Sequence, residues 1–287
     1  MGYLEDRAGL AGKVAVVTGG AGGLGWPISR DLARAGVHVA VCDRDPKAIE
    51  AARAEFGAMP VKTLLRNADV REPEAMAAFF EEIDAHFGRV DILVNVPGGG
   101  FVAPLMDTNA KGWNAIIRQN FLYVLDTTQH AVRRMRAQKS GGSLIYVTSI
   151  EAERAVPNRA IYGAMKAGVT SLAKTLALEL GQEGIRVNTV APDTFPTPAV
   201  EAETGPKDSP WRPIQESMAV PMGRYGEGEE LSGCVLFLAS NLASYVTGAA
   251  LHVDGGTYAS SGWLNWPDKG WVLTAPADAV TALFGQD

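Results

Sequence analysis

The sequence predicts an α/β protein: one doubly wound parallel sheet of about seven strands, with helices on both faces. Three observations carry that reading. Apolar runs of strand length alternate with helical patterns along most of the chain, and each parallel strand must return through such a crossover. The first of these units, Lys13 to Asp43, holds strand, glycine-rich turn, helix and strand within about 30 residues. A chain of 287 residues is also long enough to bury one large core.

The elements follow in order. Val14 to Val17 is an apolar run of the kind found in a strand buried on both faces. In Thr18-Gly19-Gly20-Ala21-Gly22-Gly23-Leu24-Gly25 the side chains almost vanish. Ile28, Leu32 and Ala33 then mark one face of a helix that stops at Gly36, and Val37 to Cys42 is a second strand ending on Asp43. Asp45 to Phe56 reads as a helix with Asp45 as its cap and Pro46 at its first position. Val61 to Arg66 is a strand leading into Asn67-Ala68-Asp69-Val70, and Glu72 to Gly88 is an amphipathic helix carrying Met76, Phe79, Phe80, Ile83 and Phe87. Asp91 to Asn95 is a short buried strand that runs into the loop Val96-Pro97-Gly98-Gly99-Gly100-Phe101. Two helices fill the span from Thr108 to Lys139, Ser143 to Ser149 is a strand, Ala160 to Gly184 a long helix, and Ile185 to Ala191 another strand. Pro192 to Gly226 is rich in proline and poor in periodicity; a helix from Glu229 to Leu238 and a strand from Ala249 to Val253 complete the pattern. Right-handed crossovers place Gly19 to Gly25, Asp43, Asn95, Ser149 and Pro192 along one edge of the sheet.

This reading divides the chain into a catalytic unit over residues 1–258 and an aromatic arm over 259–287, which holds Trp263, Trp266 and Trp271. The arm either packs on its own subunit or a neighbour, or helps to close a substrate pocket. A net charge of -6 without a basic cluster argues against nucleic acid as a partner. No apolar run approaches the length that crosses a membrane, and the N-terminus lacks an apolar signal segment. Gly2 is followed by Asp6 where a myristoylation site needs Ser or Thr. Cys42 and Cys234 lie far apart and read as apolar fillers, with no metal expected. A cytoplasmic protein is expected.

The glycine-rich turn has a physical purpose. Without side chains the backbone can approach a pyrophosphate, and the N–H groups opening the next helix favour its negative charge. Asp43, at the end of the second strand, can accept hydrogen bonds from an adenosine ribose diol and would repel a 2′-phosphate, which favours NAD over NADP; Arg44 partly offsets that repulsion. The fold is therefore expected to be of Rossmann type. A candidate for chemistry lies on the long helix, where Tyr162 and Lys166 are four residues apart on one face. A neighbouring ammonium favours the phenolate and brings a phenol from its ordinary pKa near 10 toward the working range. Spacing alone favours an ordinary surface pair, but the helix follows the strand that ends at Ser149, at the same edge as the glycine loop.

Together these motifs resemble the short-chain dehydrogenase/reductase family, in its single-domain branch of about 250 residues. Thr18, Gly19, Gly23 and Gly25 match its Thr-Gly-x-x-x-Gly-x-Gly; Tyr162 and Lys166 match Tyr-x-x-x-Lys; Ser149 stands thirteen residues before the tyrosine; Asn120 matches the helix asparagine. Asp43 matches the acid after the second strand, and Asp69-Val70 the pair near the adenine. The resemblance spans residues 10 to 257. It implies catalytic roles for Asn120, Ser149, Tyr162 and Lys166. It also implies an NAD site formed by Gly19, Gly23, Leu24, Gly25, Asp43, Asp69, Val70, Asn95, Tyr162, Lys166, Pro192 and Thr197. Tyr162 would exchange a proton with the substrate oxygen, Lys166 would lower its pKa and hold the nicotinamide ribose, Ser149 would bind the substrate oxygen, and Asn120 would hold a relay water. Homotetramers are usual in the family.

Three departures stand out. Asn95-Val96-Pro97-Gly98 replaces the family's Asn-Asn-Ala-Gly, Pro192-Asp193 replaces Pro-Gly, and Trp26 fills a position that is usually small. Asp193 either puts an acceptor near the site or caps a turn. Phe195, Val200, Trp211, Met218, Val220 and Met222 suggest a pocket with apolar walls, or merely pack the segment from Thr194 to Tyr225 onto the rest. The expected activity is NAD-dependent interconversion of a secondary alcohol and a ketone, on a bulky apolar substrate such as a steroid or terpenoid. The alternatives are an NADPH-linked carbonyl or 3-oxoacyl reductase and a non-catalytic NAD-binding sensor.

Overall fold

The structure is a computed structural model that describes residues 2–197, 200–201 and 208–284. Seven parallel strands form its central sheet: β1 (Val14–Thr18), β2 (His38–Asp43), β3 (Thr63–Asn67), β4 (Ile92–Asn95), β5 (Gly142–Val147), β6 (Ile185–Pro192) and β7 (Ala250–Val253). Their spatial order is 3-2-1-4-5-6-7. The order reverses between β1 and β4, the place where open α/β sheets leave a crevice at their carboxyl ends. Every residue of β1 and β4 is buried, which is why these strands read as unbroken apolar runs rather than alternating ones.

Successive strand side chains point to opposite faces, and each face carries its own core. On one, Ala15, Val17, Val39, Val41, Ile92 and Val94 pack under α2 (Gly25–Arg34), α3 (Pro46–Phe56) and a helix near the C-terminus described below. On the other, Val16, Ala40, Leu93, Leu144 and Tyr146 pack under α4 (Pro73–Phe87), α6 (Tyr123–Gln138) and α7 (Ala160–Leu180). Helix boundaries follow local chemistry. The Asp45 carboxylate accepts from the Lys47 N–H at 2.9 Å, capping α3 just before Pro46. Gly88, at φ 68°, closes α4 in the left-handed conformation that glycine adopts without strain.

Several elements differ from the sequence expectation. A short helix, α1 (Tyr3–Ala8), precedes β1. The two helices expected between Thr108 and Lys139 are α5 (Ala110–Ile117) and α6, joined without a break by a π-helical turn over Arg118–Leu122. The proline-rich segment contains α8 (Arg212–Ala219), after which α9 (Gly228–Ala239) supplies the remaining cover for the first face. Residues 198–199 and 202–207 of that segment lie outside the described residues. Beyond β7 come α10 (Thr257–Ser260), an antiparallel hairpin of β8 (Leu264–Trp266) and β9 (Gly270–Val272), and α11 (Ala277–Phe284). The hairpin packs through β8 against α8. Cys42 is a buried free thiol, pushed up to about 12 by burial, and Cys234 is a half-buried one. No helix among the described residues is long and apolar enough to cross a membrane.

Candidate active site

β1 ends at Thr18, whose hydroxyl donates to the Asn95 amide oxygen at 3.1 Å and so ties the ends of β1 and β4 together. The chain then turns through Gly19, at φ 61°, into α2. A Cβ on Gly25 would lie 1.9 Å from the Gly19 carbonyl oxygen, so this crossing admits no side chain. No side chain caps α2; its first N–H groups, those of Gly25 and Trp26, both donate to the Gly22 carbonyl, at 2.9 and 3.2 Å, and the dipole of the helix favours an anion at the loop. Asp43 braces the loop from the end of β2: one carboxylate oxygen accepts from the Ala21 N–H at 3.2 Å and the other from the Asp45 N–H at 3.1 Å.

A groove of about 350 Å³ runs over this edge, lined by Gly19, Gly22, Gly23, Asp43, Arg44, Asp69, Val70, Arg71, Pro97 and Gly98, among others. Arg71 forks onto the Asp69 carboxylate, and its hydrogen bonds hold that carboxyl below the usual range. A glycine cradle, a helix start opening from it and an acid at the second strand end are the features a nicotinamide dinucleotide requires, so the residues present fit that group. Leu24 and Thr197 share a neighbouring cavity of about 200 Å³ with Gly23. Pro192 is buried at the end of β6, beside Val253 of β7.

Asn95 and Asn120 play different structural parts from the groove lining. Asn95 is 1 % exposed, donates to the Thr127 hydroxyl at 2.9 Å, and lies beneath the groove. Asn120 sits in the π turn, 1 % exposed. Its amide oxygen accepts from the Gly99 N–H at 3.0 Å, and its amide nitrogen donates to the carbonyls of Gly99 (2.8 Å) and Ile116 (2.9 Å). The side chain is therefore committed to holding the Gly98–Gly100 loop. Pro97 joins the same brace, because its carbonyl accepts from the Tyr123 hydroxyl at 2.7 Å. Trp26 packs edge-on against Phe56, 5.3 Å between ring centroids, which gives the larger side chain a place beside the first core.

Ser149, Tyr162 and Lys166 come together where β5 gives way to α7. Ser149 caps a 3₁₀ turn over Ile150–Ala152, and its oxygen accepts from the Glu151 N–H at 3.2 Å. The hydroxyl proton is thus left to donate elsewhere. Tyr162 lies in the first turn of α7, within hydrogen-bonding reach of Ser149. Lys166 is buried, and its ammonium donates to the Val147 carbonyl at 2.9 Å. Burial alone brings its pKa down to about 8. The ammonium stands 5.8 Å from the centre of the Tyr162 ring.

The electrostatics of the phenol differ from the expectation. Burial raises the Tyr162 pKa and dominates; the Ser149 hydrogen bond and the Arg159 charge act downward, while Glu151 and Asp193 act upward. Arg159, whose guanidinium lies 5.9 Å over the ring, is a cation that offsets burial. The Lys166 ammonium is occupied by the strand carbonyl below. Asp193 is an ion-pair partner: Arg154 donates to it at 3.4 Å and to Glu151 at 2.9 Å. The sequence left Asp193 open as an acceptor near the site or a turn cap; what it did not disclose is the pairing through Arg154, which stands three residues after Glu151. Of the apolar lid candidates, Phe195 and Val220 are buried, at 3 % and 4 % exposure, whereas Trp211 and Met222 are exposed.

Comparison with known proteins agrees with this geometry. A family model described as Enoyl-(Acyl carrier protein) reductase matches residues 19–258. The chain is similar to a 3-oxoacyl-acyl-carrier-protein reductase of Thermotoga maritima, at 34 % identity over 248 residues that cover 86 % of this chain and 98 % of that one. It is similar also to gluconate 5-dehydrogenase of Gluconobacter oxydans, at 32 % identity over 252 residues, 88 % of this chain and 96 % of the other. Among solved structures it is similar to a short-chain type dehydrogenase/reductase from Mycobacterium marinum, with TM-score 0.81, 32 % identity, and 88 % and 98 % of the two chains covered.

Proposed function

The chain belongs to the short-chain dehydrogenase/reductase family, and on that premise we propose that it is an NAD-dependent enzyme interconverting a secondary alcohol and a ketone. The family binds a nicotinamide nucleotide and acts on CH–OH or carbonyl groups. The observation that carries the finer reading is the grouping of Ser149, Tyr162 and Lys166 beside the glycine groove and Asp43. Bound nicotinamide supplies the hydride chemistry. Ser149 hydrogen-bonds the substrate oxygen and steadies charge there. Tyr162 passes its proton to that oxygen in ketone reduction and takes it back in alcohol oxidation. Lys166 presents a buried ammonium below the phenol and holds the ribose end of the cofactor. Asn120, with its side chain spent on the loop, keeps Gly98–Gly100 in place beside the nicotinamide, and Gly19, Gly23, Leu24, Gly25, Asp69, Val70, Asn95, Pro192 and Thr197 hold or support the rest of the cofactor.

NAD is preferred because Asp43 stands in the groove with both carboxylate oxygens fixed by backbone N–H groups, a poor neighbour for a 2′-phosphate. The substrate reading keeps a bulky, largely apolar body of steroid or terpenoid kind, supported by the exposed Phe101, Val102, Trp211 and Met222. Residues 1–258 would form the catalytic unit and 259–287 an arm over α8. Exposed apolar side chains on the α6–α7 side, Leu122 and Leu178, support assembly into a homotetramer, and a cytoplasmic location is part of the same reading.

A second reading is NADPH-linked reduction of a carbonyl or 3-oxoacyl group, favoured by the Thermotoga maritima relative's name and by Arg44 and Arg71 in the groove. The test is nicotinamide reduction by the purified protein with NAD and, separately, NADP, over a panel of secondary alcohols that includes steroids. Turnover with NAD is expected. Turnover with NADP alone overturns the cofactor reading, and nucleotide binding without turnover of any alcohol or ketone favours a sensor.

A further inference from the structure

A cavity of about 660 Å³ opens at the amino edge of the sheet, the edge opposite Ser149 and Tyr162. Three cations line it: Lys13 just before β1, Arg89 a few residues before β4, and Arg186 at the start of β6. Asp91 is the one carboxylate in the lining, and it is already engaged. It accepts from the Val14 N–H at 2.8 Å and from the Arg89 guanidinium at 2.6 and 2.9 Å. The lining therefore carries a net charge of +2, in a chain whose net charge is -6. Arg186 is partly buried and donates to the carbonyls of Ser240 at 3.2 Å and Val246 at 3.4 Å. Carbonyls satisfy its hydrogen bonds but bring only partial charge. Lys13, also partly buried, donates to the Asn241 amide oxygen at 3.3 Å, again a neutral partner. Burial lowers the pKa of that ammonium; Asp91 acts upward, while Arg186 and Arg89 act downward, so the cations share one space and repel.

We propose that this cavity binds a phosphate-bearing small molecule, its anionic group held between Lys13 and Arg186. The charge pattern selects the class. A cation would meet an excess of like charge, and a neutral ligand would leave the repulsion between the cations in place. A phosphate dianion matches the excess and offers oxygens to an ammonium and a guanidinium at once. The space lies within the range of small-molecule sites and is wider than a lone phosphate needs. The Tyr245 ring, wholly exposed and part of the lining, presents a flat face to the remainder of the ligand. The three cations come from separate segments, which is why no basic cluster stands in the sequence.

The experiment titrates inorganic pyrophosphate and, separately, fructose 1,6-bisphosphate into the full chain by calorimetry at constant ionic strength. NAD is present at about ten times its own Kd, so that the glycine groove is filled. Three variants locate the binding. Lys13→Gln removes a charge and keeps an amide to donate to Asn241, and Arg186→Gln keeps an amide to donate to a carbonyl. Gly181→Glu adds a carboxylate to the lining where the backbone is helical, at φ -59°, and a Cβ would meet nothing within 4 Å. Saturable binding with a Kd below about 1 mM is expected in the wild type. Each variant should weaken it about tenfold or more, with NAD affinity unchanged. Tighter binding of the bisphosphate marks an organic phosphate as the ligand, and tighter binding of pyrophosphate an inorganic one. No saturable binding of either probe, or binding that all three variants leave within about twofold, overturns the inference. The readout needs no turnover, so it stands apart from the alcohol–ketone test above.

Discussion

The two halves of the carboxyl edge are built on different principles. The nucleotide half, from Thr18 to Asp43 and on to Gly98, is backbone geometry: glycine crossings, a helix start held by the Gly22 carbonyl with no side-chain cap, and an acid that accepts from two N–H groups. The substrate half, around Ser149, Arg154, Tyr162 and Asp193, is side-chain chemistry in a buried setting, where burial and a few charges set each pKa. The first kind is specified by local sequence. The second depends on which distant segments meet, and so it is the half free to change substrate while the cofactor stays.

Substitutions in the two halves should therefore fail in different ways. The largest effect is expected at Gly25→Ala. Its Cβ would be driven against the Gly19 backbone, which no rotamer change can relieve, and such overpacking costs about 3 kcal/mol or more. Urea unfolding should show the loss, with nucleotide affinity falling at least about a hundredfold by calorimetry, a further 2.7 kcal/mol or so. Unchanged stability and affinity would mean that the crossing is not tight.

Next comes Lys166→Met, read through pH. The folded ammonium titrates near 8 against 10.5 ordinarily, so between those values the unfolded chain binds more protons and stability rises with pH. Burial of the charge weighs fully against folding below pH 8 and fades toward pH 10.5. A depression of that size corresponds to about 3 kcal/mol. Relative to Lys166→Met, the wild type should gain stability over that window; a difference flat from pH 7 to 10.5 would contradict a buried ammonium. The smallest effect is expected at Asp43→Asn, which removes the like charge facing a 2′-phosphate and keeps one of the two loop hydrogen bonds, since the amide NH₂ cannot accept from a backbone N–H. The ratio of kcat/KM for NAD over NADP should fall about tenfold, roughly 1.4 kcal/mol, and an unmoved ratio would place cofactor choice elsewhere in the groove.

The same contrast decides what the sequence discloses. The strands were legible because burial on both faces writes itself as apolar runs, and α3 because Asp45 and Pro46 are local start signals. The helix α8 was not legible: it is held by tertiary contact, including the β8 hairpin, and its own pattern is too short to stand out. Phe195 and Val220 read either as pocket walls or as packing, and they do both: each is buried, Phe195 within the core, and with Met222 they line a cavity of about 450 Å³. In the site, Ser149, Tyr162 and Lys166 could be picked out by spacing. The direction of the Tyr162 pKa could not, because it depends on burial, on Glu151 and Arg159 in the connection before α7, and on Asp193 arriving from the end of β6.

The central claim is that Tyr162 is the proton donor and acceptor, and Tyr162→Phe tests it most directly. Steady-state turnover of any alcohol the wild type oxidises should fall by two or more orders of magnitude, since general acid–base transfer is typically worth about 10² to 10⁴. NAD affinity, measured on the same protein by calorimetry, should stay within about threefold, because the nucleotide half is built without the phenol. Turnover close to wild type would contradict the account.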